Sequence, residues 1–84
     1  MKMWELERKA WELDGVRVIV RAPSGAQALD YKKTNAADKG MSVTKYVDTR
    51  IQPCVSEFEV VVIDGGGNFV HGRTKLNKVR ESYK

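Results

Sequence analysis

Leu13-Asp14-Gly15-Val16 is the feature that most restricts what this chain can fold into. An Asp-Gly pair set between alternating apolar residues signals a two-residue hairpin. A type I′ turn needs positive φ at both central positions, which Asp tolerates and Gly adopts freely. Read this way, Leu13 pairs with Val16 and Trp11 with Val18. Trp11, Leu13, Val16, Val18 and Val20 then share one face, and Ala10, Glu12, Arg17, Ile19 and Arg21 the other. Trp4 and Leu6 have the opposite parity, which calls for a bulge between residues 7 and 10 or for a separate N-terminal arm that folds back onto its own domain or docks on a neighbouring chain.

After the hairpin, Ser24-Gly25-Ala26-Gln27 fits a capping box, so a helix is expected from Ser24, with Ala26, Leu29, Ala36 and Ala37 on one side and Gly40 as its stop. Residues 43–51 fit two periods. Val43, Tyr46, Val47 and Ile51 recur with helical spacing, but five of the nine residues are β-branched, which favours a strand ended by Pro53. Ser56 to Ile63 reads as a strand with Phe58, Val60 and Val62 on one face and Glu57, Glu59, Val61 and Ile63 on the other. Asp64-Gly65-Gly66-Gly67-Asn68 then either turns a hairpin into a short strand at 69–71 or loops directly to a last helix, which is capped by Thr74 and carries Leu76, Val79 and Tyr83.

The expected fold is therefore α+β, a single domain over residues 1–84, with the order ββαββα. An antiparallel sheet of four to five strands carries two helices on one face, a circular permutation of the ferredoxin-like βαββαβ arrangement. The other sheet face is left open. Its central aliphatics Ile19, Val61 and Ile63 need a cover, and a second copy of the same face is the simplest one, so a homodimer or higher homo-oligomer is expected. Trp4 and Leu6 add an arm to that self-association surface.

Charge supports an alternative. Residues 1–72 carry ten Lys/Arg and ten Asp/Glu, so the net charge of +4 comes from Arg73, Lys75, Lys78, Arg80 and Lys84 against Glu81. Arg17, Arg21, Tyr46 and Arg50 on an open sheet, with Arg73, Arg80 and Lys84 on a basic terminal helix, form a candidate nucleic-acid surface. The sheet face also carries acids and lacks a run of aromatics, which weighs against it.

Catalytic motifs are sparse. His71 is the only histidine and Cys54 the only cysteine, which leaves no disulfide within the chain and no Cys/His spacing for zinc. Ser56, His71 and Asp64 could be assembled into a hydrolase triad only on paper, and His71 near Arg73 and Lys75 supplies a third option, a small hydrolase or RNase. The triple-glycine turn lacks the Gly-Lys-Ser/Thr ending of a nucleotide loop. No cofactor or metal is implied. The longest aliphatic run, Val60 to Ile63, is too short to span a bilayer and no signal-peptide pattern is present, so a soluble cytoplasmic protein is expected. The sequence thus favours a non-enzymatic binding or assembly protein.

Overall fold

The computed structural model describes residues 1–83. It contains one two-stranded antiparallel sheet and three helical runs, which overturns the expected four- to five-stranded sheet and its ββαββα order. The first run is α1 (Met3–Lys9), extended by a π-helical turn at Ala10–Asp14. Strand β1 (Arg17–Arg21) follows at once. The second run joins α2 (Val43–Tyr46), a π-helical turn at Val47–Ile51 and α3 (Gln52–Val55). Strand β2 (Glu59–Ile63) and helix α4 (Leu76–Glu81) complete the order.

Residues 3–14 are helical rather than the first arm of a hairpin because their apolar period is 3.6. Met3, Leu6, Ala10 and Leu13 fall on one side, and Leu6 and Ala10 are fully buried. The mismatch in parity between Trp4/Leu6 and Trp11/Leu13 is what a helical stripe looks like when it is counted in twos. Arg8 pairs with Glu12 one turn on, at 3.1 Å. The Asp-Gly pair does not turn a hairpin. Asp14 ends the helical run, and Gly15, at φ 69° and ψ 29°, takes the left-handed position just beyond it.

The helix expected from Ser24 does not form. Residues 22–42 hold no regular element beyond isolated bridges, yet they deliver Ala28, Tyr31 and Ala37 to the core. Non-local hydrogen bonds replace the missing helical ladder: Met1 and Ala28 exchange bonds of 2.8 Å in both directions, and Leu29 N–H donates to the Cys54 carbonyl at 2.8 Å.

Residues 43–51 are helical, not a strand. Ser42 Oγ accepts from Lys45 N–H at 3.2 Å and starts the run, and Val43, Tyr46 and Ile51 are buried. Pro53 does not end it. The preceding π-helical turn widens the backbone where the proline ring would meet a carbonyl of an ordinary α-turn, and the helix continues to Val55.

β1 and β2 pair from Arg17↔Ile63 to Arg21↔Glu59, with Ile19 opposite Val61. Val18, Val20 and Val62 point into the core, while Arg17, Ile19 and Arg21 are exposed. One isolated bridge, Ile63↔Phe69, is what remains of the hairpin expected after the glycine turn. The sheet ends are tied by side chains. Glu7 accepts from Val20 N–H at 2.9 Å, blunting the free edge of β1. The Tyr83 hydroxyl accepts from Arg17 N–H at 2.9 Å and donates to the Ile63 carbonyl, so it bridges the last pair of the ladder.

Candidate functional site

The outward face of the sheet is built by register. Cross-strand partners project to the same side, so Arg17, Ile19 and Arg21 of β1 share a face with Ile63, Val61 and Glu59 of β2. The Ile63↔Phe69 bridge adds Phe69 to it. Ile19 is 41 % exposed, Trp11 42 % and Phe69 64 %, so this side of the molecule shows aliphatic and aromatic surface together. Its cations lie over its rings: the Arg17 guanidinium stands 5.0 Å from the Trp11 centroid and that of Arg21 5.4 Å from Phe69. Trp11 packs edge-on against Tyr83 at 5.1 Å, and Arg21 pairs with Glu59 at 3.2 Å. The face is therefore apolar at its centre, with its nearby charges partly neutralised.

The structure thus brings Ile19, Val61 and Ile63 together. Trp4 is exposed on α1, whereas Leu6 is buried in its own core and presents nothing to a neighbour. Trp11, assigned by the hairpin reading to the core, lies beside the outward face instead.

The residues of the candidate nucleic-acid surface are scattered. Arg17 and Arg21 remain on the sheet, but Tyr46 and Arg50 belong to the second helical run and turn inward to Asp14. Asp14 is 1 % exposed. Its carboxylate accepts from Tyr31 Oη at 2.5 Å, Tyr46 Oη at 2.8 Å, Ala37 N–H at 2.9 Å and Arg50 Nη1 at 3.0 Å. A buried charge is tolerable only when it is paired and hydrogen-bonded in this way. Burial, with Asp14 close by, raises the Tyr31 phenol to about 12 and pushes that of Tyr46 higher still. Arg80 also works internally, donating from Nε to the Asp14 carbonyl and from Nη2 to the Ala37 carbonyl, each at 2.7 Å. Arg73 is exposed, and Lys84 lies outside the described residues.

This Asp14 centre was missed in the sequence, although a signal existed. Tyr46 and Arg50 are one helical turn apart, so a helix there aims both at one point.

His71 and Cys54 are each engaged locally. His71 Nδ1 accepts from Arg73 N–H at 3.1 Å, and the Cys54 thiol faces the Asp30 and Arg50 carbonyls. Burial raises the Cys54 pKa, which disfavours the nucleophilic thiolate. The glycine turn offers no free anion cradle: Asp64 accepts from Gly66 and Asn68 N–H, and Ser82 Oγ from Gly65 N–H, all at 2.9 Å. Among the described residues no group of three or more His, Cys, Asp and Glu is placed to hold a metal ion, and no helix is long and apolar enough to cross a membrane. Comparisons of the chain with protein-family models, with curated proteins and with solved structures found no match.

Proposed function

We propose that this chain is a non-enzymatic binding and assembly module that self-associates through the outward face of its sheet, forming a homodimer or higher homo-oligomer. The observation that carries the reading is the row Ile19, Val61 and Ile63, in register across the strands and flanked by the exposed rings of Trp11 and Phe69. A twofold contact lets such a patch complement itself, and Arg21 and Glu59 at its end supply both signs of charge to match across the axis.

A nucleic-acid reading keeps one supporting observation, the guanidinium-over-ring pairs of Arg17 with Trp11 and Arg21 with Phe69, which could stack on unpaired bases. It uses the same surface and so competes with self-association. Sedimentation equilibrium in low and high salt, with and without a mixed-sequence single-stranded oligonucleotide, separates the two. A salt-resistant dimer that ignores the oligonucleotide supports assembly. A monomer that binds it at low salt and releases it at high salt replaces assembly with nucleic-acid binding.

A further inference from the structure

A second surface lies on the far side of β2. A groove of about 660 Å³ runs between this strand and the second helical run, floored by Val43, Val47, Phe58 and Val60. Asp48, Glu57 and Glu59 line it, and no Lys or Arg does, in a chain whose net charge is +4. Glu59 is paired with Arg21, but Asp48 and Glu57 have no ionic partner among the described residues.

The sheet edge in this groove is open. Val20 N–H is directed away from β2, to Glu7, so Val20 and its partner Val60 form a non-hydrogen-bonded pair of the ladder. The main-chain N–H and C=O of Val60 therefore point away from β1, toward the groove. Two residues further on, the Val62 carbonyl points the same way and is taken by Val70 N–H at 2.9 Å. That added pairing stops short of Val60, which has no main-chain partner on this side among the described residues.

We infer that this groove takes a short, extended, basic peptide segment of another protein, added as a strand beside Val60. Main-chain hydrogen bonds at Val60 supply the pairing, alternate apolar side chains fill the floor, and Lys or Arg on the segment meets Asp48 and Glu57. β1 shows what such a segment looks like, since Arg17-Val18-Ile19-Val20-Arg21 already satisfies the opposite edge of β2 and sets Arg21 on Glu59.

The test is a titration of blocked Lys-Val-Thr-Val-Lys peptide into ¹⁵N-labelled protein, followed by amide shifts. The proposal expects shifts centred on Val60, Thr44 and Gly72. It also expects about tenfold weaker binding in high salt or in the double variant Asp48→Asn, Glu57→Gln, whose exposed sites leave folding intact. Two versions of the peptide, N-methylated on alternate residues, block opposite edges, and only one should still bind. Equal binding of a Glu-Val-Thr-Val-Glu peptide, equal binding of both N-methylated versions, or absence of binding would overturn it. So would shifts confined to the outward face, or Val60 shifts that depend on protein concentration without peptide, which would make a second copy the occupant.

Discussion

Arg50 Nη1 stands 3.0 Å from Asp14 Oδ1 and ties together the two π-helical turns of the molecule, one ending at Asp14 and the other carrying Arg50. Around that pair, Tyr31 and Ala37 bring in the irregular segment between β1 and α2, and Arg80 brings in α4. A single carboxylate thus organises a stretch of chain that has no hydrogen-bonded ladder of its own.

Removing it should be severe. Asp14→Ala leaves the Arg50 charge and two buried phenols without their acceptor and is expected to cost about 3–5 kcal/mol, most of the stability of a domain this small. Arg50→Met leaves the buried Asp14 carboxylate with three donors but no counter-charge, and should also cost about 3 kcal/mol or more. Urea denaturation of the two variants gives both costs directly. Small effects in both would show that the centre is peripheral to stability.

Alkali should unfold the protein through its tyrosines. The folded Tyr31 phenol is raised to about 12, and burial also raises those of Tyr46 and Tyr83. Unfolded phenols ionise near pH 10. Between that pH and the folded values the unfolded chain binds fewer protons, so stability is fully present below about pH 10 and falls as pH rises through the folded values. Phenolate absorbance and urea midpoints measured together across this range should show ionisation and unfolding as one event. Free titration near pH 10 in a folded protein would contradict it.

These groups also mark the limit of what the sequence made legible. The two faces of β1 and β2 could be read from alternation because both strands are half-buried, and Leu76 and Val79 fixed the inward side of α4. Asp14-Gly15 could not be resolved locally, since the pair suits a hairpin turn and a helix end equally, and only the period of Leu6 and Ala10 decides. For residues 22–42 the capping pattern at Ser24 was overridden by tertiary bonds. Tyr31 and Ala37 reach Asp14, 17 and 23 residues away, a separation beyond any local pattern.

The three glycines of the 65–67 turn should respond differently to alanine. A Cβ at Gly65 would collide with the Ser82 carbonyl at the end of α4, so Gly65→Ala is expected to cost about 1–3 kcal/mol or more. Gly67 sits at φ 81° in open space, and its substitution should cost only the left-handed strain of about 1–2 kcal/mol. Gly66 lacks positive φ, and a Cβ there meets only side-chain ends, Asn68 Nδ2 at 3.1 Å and Asp64 Oδ1 at 3.4 Å, so it should tolerate alanine best. Thermal melts of the three variants rank them.

Ser56 is the one non-glycine residue with positive φ among those described, at φ 57° and ψ −120°. It occupies the first central position of a type II′ turn closed by Phe58 N–H on the Val55 carbonyl at 3.3 Å. Ser56→Gly should raise stability by about 1 kcal/mol, read as a higher urea midpoint at unchanged slope. A lower midpoint would show that the serine backbone is not strained there.

Whether the outward face holds copies of the chain together is read from the light-scattering mass of the parent chain and of Ile19→Lys at equal concentration. Ile19 is exposed, so the substitution leaves the core intact while placing a charge among Val61 and Ile63. A salt-resistant dimer or larger assembly is expected for the parent and a folded monomer for the variant. A monomeric parent, or an assembly that Ile19→Lys leaves unchanged, would contradict self-association through this face.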